Sequence, residues 1–72
     1  MLKTLETYVR IQYNYAKKTY HYDTFQAFFH NAFGATCFAM DMAQTQEEYH
    51  AVESFWEEWK EKFYDHLRTI PV

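Results

Sequence analysis

Cysteine, glycine, proline and serine are nearly absent: the 72-residue chain holds one of each. The lone Cys37 excludes a disulfide framework inside the chain. The lone glycine, Gly34, excludes a glycine-rich loop that cradles phosphate, and it excludes a serine nucleophile elbow. Proline occurs only at Pro71, so nothing breaks a helix before it. No run of ~18 apolar residues is present, so no membrane-spanning segment is expected. The opening Met1-Leu2-Lys3-Thr4-Leu5-Glu6 lacks the apolar stretch of a secretory signal, which makes a cytoplasmic protein the expectation.

Aromatic rings are abundant instead. Seven Phe, seven Tyr and two Trp make up 22% of the chain. A domain this short buries only ~60% of its unfolded surface and is marginal without a further device. Rings that each bury ~150–250 Å² are the device this composition offers.

The net charge of −3 is unevenly placed. Lys3, Arg10, Lys17 and Lys18 outweigh Glu6 in the first segment, while Glu47, Glu48, Glu53, Glu57, Glu58, Glu61 and Asp65 outweigh Lys60, Lys62 and Arg68 in the last. The expectation is a basic first segment lying beside an acidic last one.

The last segment reads most clearly. Thr45-Gln46-Glu47-Glu48 has the form of a capping box. Tyr49, Val52, Trp56, Trp59, Phe63, His66 and Ile70 then alternate at spacings of three and four, which predicts a helix over 46–69. In the middle segment Asp23 is the expected cap. Phe25, Phe28, Phe29, Ala32, Phe33, Thr36, Ala39 and Met40 cover a wide arc, with Ala27, Ala35, Phe38 and Met42 behind it. A helix apolar nearly all round is a buried one. Gly34 in its middle predicts either a close helix crossing at Gly34 and Ala35 or a break into two shorter helices. The first segment is ambiguous. Leu2, Leu5, Val9, Tyr13, Ala16 and Tyr20 make a helical face, while Val9 to Tyr15 also alternates as a strand would. A hairpin turning at Ala16-Lys17-Lys18-Thr19 would lack the glycine that tight hairpins favour. The loops are expected at 20–23 and 43–45.

The fold expected is all-α, a single domain over 1–72 forming an up-down-up three-helix bundle. The alternative is α+β, with an N-terminal β-hairpin followed by two helices. The expected core is Val9, Tyr13, Phe25, Phe28, Phe29, Ala32, Phe33, Thr36, Ala39, Met40, Tyr49, Val52, Trp56, Trp59 and Phe63.

Chemistry-bearing constellations are weak. His30 and Cys37 lie two turns apart on one helix, ~10.5 Å along its axis, too far for a base and its nucleophile. Glu47-Glu48-Tyr49-His50 contains the Glu-x-x-His spacing of di-iron bundles, but only once. Cys37 and Asp41, at i and i+4, would chelate a metal only with a third ligand from elsewhere in the chain, and a metal-binding helical protein is on that ground the second alternative function. The reading assigns no catalytic residue, no cofactor and no metal ligand. The surplus rings carry more information. Tyr8, Tyr15, Tyr22, Phe38, Phe55 and Tyr64 lie off the main stripes. Tyr8, Tyr15 and Tyr22 recur every seven residues and would share one flank of a single helix. Clustered exposed rings mark protein-binding surfaces. The expected patch is Tyr8, Tyr15, Tyr22, Phe55 and Tyr64, on a non-enzymatic interaction module whose partner is another protein or a second copy. A nucleic-acid alternative rests on Arg10, Lys17 and Lys18 interleaved with tyrosines, suited to single strands, or on mimicry of nucleic acid by the acidic last helix.

Overall fold

A computed structural model describes residues 2–71. It contains three helices, α1 (Leu2–Ala16), α2 (Tyr22–Asp41) and α3 (Gln46–Leu67), packed against one another in a body of 41 × 16 × 16 Å. No strand occurs among the described residues, and the hairpin alternative is overturned. A lone two-stranded sheet is marginal in water. A helical α1 instead buries Leu5, Val9, Gln12 and Ala16 in one stripe at spacings of four and three. That gain decides between two patterns that are equally readable in the sequence.

The cap of α3 forms as its sequence implies. The Thr45 side chain accepts from the Glu48 N–H at 3.0 Å, and the Glu48 carboxylate accepts from the Gln44 N–H at 3.0 Å. The return contact therefore reaches one residue further back than in the standard capping box. Helix α3 ends at Leu67, two residues before the expected limit. A tighter turn follows, with Thr69 donating to His66 O and Ile70 to Leu67 O. It folds Ile70 onto the core.

The start of α2 differs from the expectation. The N-cap is His21, whose side chain makes no capping bond, and Asp23 lies in the first turn. The His21 N–H is taken by Thr19 Oγ1 at 3.1 Å, so the loop closes earlier, over 17–21. Asp23 still serves α2 as an anion near its positive end. The second loop covers 42–45.

Consecutive helices run in opposite directions. Tyr15 stacks on Phe28 and Gln12 meets Asn31 across α1 and α2, while Phe33 meets Trp56 and Phe25 meets Phe63 across α2 and α3. Helix α2 makes the main contacts, most extensively with α1, and α1 meets α3 least.

The core is Leu5, Val9, Ala16, Phe25, Ala32, Ala39, Val52, Trp56, Phe63 and Ile70. Tyr13, Phe28, Phe29, Met40 and Trp59 are half-buried against it. Two expected core residues are exposed, Phe33 at 44% and Tyr49 at 41%. Both lie on the margin of their stripes, where three helices of this girth leave a ring half open. Gln12 and Thr36 are buried polar groups, and both are satisfied. Thr36 Oγ1 donates to the Ala32 carbonyl at 2.8 Å, and Gln12 Oε1 accepts from Asn31 Nδ2 at 3.2 Å.

Gly34 neither breaks α2 nor marks a close crossing within the chain. The helix runs through it, and a Cβ added there would meet nothing within 4 Å. The small residues on the buried side are instead Ala16, Ala32 and Ala39.

Candidate interaction surface

The five residues of the expected patch do not share one face. Tyr22 opens α2, so the seven-residue series from Tyr8 and Tyr15 is cut by the loop at 17–21. Its hydroxyl accepts from Gln26 Nε2 at 2.6 Å. Tyr64 stacks on Phe29 at the α2–α3 side, with ring centroids 5.8 Å apart. Phe55 is half-buried against Trp59. Only Tyr8 and Tyr15 remain together, over the seam between α1 and α2.

That seam is flanked by two uncharged, largely exposed stripes. On α1 its rim is Thr4, Tyr8, Ile11 and Tyr15, at spacings of four, three and four. On α2 it is Phe28, Asn31, Ala35, Phe38 and Met42, at spacings of three and four. No charged residue belongs to either stripe. Phe38 is 65% exposed, Tyr15 53%, Met42 51%, Ile11 43% and Tyr8 41%. Between the rims lies a surface cavity of about 250 Å³ lined by Thr4, Leu5, Tyr8, Ala35, Phe38 and Ala39. A second cavity of about 370 Å³ continues past Ala39 to the end of the bundle, where Leu2, Met42, Ala51 and Val52 meet Glu48. Ile11 and Met42 were missed by sequence reasoning, and Phe38 was left outside the patch. The signal was present: both stripes carry the same three-four spacing as the core stripes, displaced to the neighbouring side of each helix.

The basic residues of the first segment are placed differently. Lys17 Nζ lies 5.6 Å from the Tyr13 ring centroid and Lys18 Nζ 6.0 Å from that of Tyr15. Arg10 is exposed on α1. The expected pairing of the basic segment with the acidic one does not occur. Ion pairs among the described residues are His50–Glu53, Lys60–Glu57 and Arg68–Asp65, all local to α3 and its C-cap. The hydrogen bond from Lys60 to Glu57 holds the Lys60 ammonium above its ordinary pKa. The weak contact between α1 and α3 explains the missing cross-pairs.

Two polar ties fix the surrounding frame. One is the Gln12–Asn31 amide pair within the α1–α2 contact. The other joins His66 Nε2 to the Thr19 carbonyl at 2.7 Å. A carbonyl only accepts, so Nε2 carries the proton there. It pins the first loop to the end of α3, beside Tyr20 and Phe25.

Cys37 is half-buried and His30 exposed. Among the described residues no three His, Cys, Asp or Glu side chains come together as a metal site. No helix among them is long and apolar enough to cross a membrane. Comparison with protein-family models, with curated proteins and with solved structures finds no match to this chain.

Proposed function

We propose that the chain is a non-enzymatic protein-interaction module that binds through the α1–α2 seam. The observation that carries this reading is the side-by-side exposure of Tyr8, Ile11, Tyr15, Phe38 and Met42 on two uncharged stripes. Contiguous apolar patches of more than a few hundred Å² are uncommon on the surfaces of monomers. The seam also has the anatomy of a binding site, with aromatic anchors around an apolar hollow. The reading keeps the idea of a ring-based patch but replaces three of its expected members, Tyr22, Phe55 and Tyr64, with Ile11, Phe38 and Met42. The test is affinity purification of the full chain from its native cells beside Phe38→Glu and Tyr20→Glu. Tyr20 is equally open, at 63%, but lies in the first loop, beside His66. The reading expects co-purifying protein, or self-association, that is lost in Phe38→Glu and kept in Tyr20→Glu. A wild-type chain that is monomeric and carries no protein with it would overturn the reading.

A second reading is favoured by the cations over the tyrosine rings. Lys17 over Tyr13 and Lys18 over Tyr15 are two cation–ring pairs of the kind suited to single-stranded nucleic acid. It predicts binding to a labelled oligonucleotide that weakens as salt rises. Unchanged fluorescence anisotropy at low salt would dismiss it.

A further inference from the structure

We infer that the occupant of the α1–α2 seam is a second copy of this chain, its own α1–α2 pair packing across a two-fold axis to make a four-helix layer. This rests on the seam being the binding surface, and goes further by naming what covers it.

The two stripes have the spacing of helix–helix seams. Thr4, Tyr8, Ile11 and Tyr15 repeat the four-three-four pattern of the buried Leu5, Val9, Gln12 and Ala16, one residue earlier. Such a second stripe on each of two neighbouring helices is what a four-helix arrangement requires. In a three-helix body it has nothing to meet.

The surface suits its own image. A two-fold interface brings each patch against an identical patch, so any charge within it would face a like charge. These stripes carry none. They also offer both halves of a fit. Phe38 is the most exposed large apolar side chain among the described residues, and it forms the outer wall of the 250 Å³ hollow. An apolar hollow of ~150 Å³ already accommodates a benzene-sized ring. Phe38 of one copy can therefore enter the hollow of the other, twice over by symmetry.

The area is sufficient. Side chains of this size present ~200 Å² when open, so exposures of 41–65% at the five apolar rim residues leave roughly 500 Å². Doubled across a two-fold axis, that is ~1,000 Å² in total, the area at which specific interfaces begin. Self-association also supplies what small domains usually need when disulfides and metal are absent, and this chain has a single cysteine.

Sedimentation equilibrium of the full chain decides the matter. At ~100 µM, well above the dissociation constants typical of such interfaces, the mass expected is twice the 8.9 kDa of one chain. Phe38→Glu should weaken dimerisation ~30-fold or more, and Ile11→Glu, on the opposite rim, should do the same. Tyr20→Glu should leave it unchanged. Far-UV circular dichroism checks that each variant remains helical. Amide shifts of the wild type provide a measurement free of substitution: those of Tyr8, Ile11 and Phe38 should move with concentration, and those of Glu53 and Glu57 should not. A wild-type chain of single mass at ~100 µM, or a dimer indifferent to Phe38→Glu and Ile11→Glu, overturns the inference. If that monomer still co-purifies with a different protein in a Phe38-dependent way, the seam remains the binding surface and only its occupant was misassigned. If it captures nothing, both readings fall together.

Discussion

The two long sides of α2 are built on opposite plans. Towards α3 the rings interlock: Phe25 and Phe29 meet Phe63 edge-on, and Phe29 and the half-open Phe33 lie against Trp56. Towards α1 the buried contacts are mostly small, with Ala16, Ala32, Thr36 and Ala39, and the rings are outside. The same residue type therefore serves two ends in one short chain. A ring held on several sides contributes to stability. A ring held on one side contributes little to the fold and leaves its area free for something else. A compositional count of aromatics cannot separate these uses; the side of α2 on which each ring falls can.

The sharpest way to break the comparison is to truncate one ring from each side. Phe63→Ala should cost ~3–5 kcal/mol, since Phe63 is fully buried and its loss opens a cavity. That is a large share of the stability of so small a domain, and thermal melts should show partial or complete unfolding. Phe38→Ala, measured at a dilution at which the chain is monomeric, should change stability by less than about 0.5 kcal/mol, as surface substitutions do. Equal effects would show that the two sides do not differ as described. Gln12→Ala probes the small-residue side and should cost about 1 kcal/mol, because the hydrogen bond to Asn31 is lost and a part of the seam empties. Chemical denaturation would read it as a lower midpoint with an unchanged slope. Gly34→Ala should stabilise by about 1 kcal/mol, since α2 passes through this position and a methyl group meets nothing there. A fall in melting temperature would mean that something not visible in the isolated chain approaches Gly34 closely.

The smallest effect belongs to Lys60 on α3. Its pKa is raised in the folded chain by the hydrogen bond to Glu57. Any stabilisation is therefore fully present below the ordinary lysine value and is lost as pH climbs through the raised one. Melting curves of wild type and Lys60→Gln should converge in strongly alkaline buffer. A gap that widened there would reverse the sign.

Much of the fold was legible, and what was missed has physical causes. Helix α3 could be read because Thr45 and Glu48 state its start and its apolar stripe is narrow. Helix α1 could not be settled locally, because Val9 to Tyr15 satisfies both periods and only burial against α2 distinguishes them. Phe33 and Tyr49 were assigned inside because periodicity gives the direction of a face but not its width. Gln12 went unnoticed because a polar residue on a buried stripe does not register as apolar pattern. At the candidate surface, Tyr8 and Tyr15 share one flank of α1, as their spacing implied. Tyr22 was added because a seven-residue repeat was extended across the first loop, even though a loop at 20–23 was itself expected. Phe38 was seen as surplus yet not joined to them, since only the pairing of α1 with α2 brings Tyr8 and Phe38 to one hollow.

The Gln12–Asn31 contact also bears on which alignment of α1 and α2 is chosen. A seam lined only by aliphatic side chains tolerates sliding by two turns, because apolar positions recur at that interval. Slide α1 along α2 by that step and Gln12 comes opposite Thr24 or Phe38, while Asn31 faces Leu5 or Thr19. In the second of these, the buried Gln12 amide is left against a phenylalanine, and an amide without a partner there is costly. One pair of amides thus acts as a detent, trading a little stability for a single setting of the two helices.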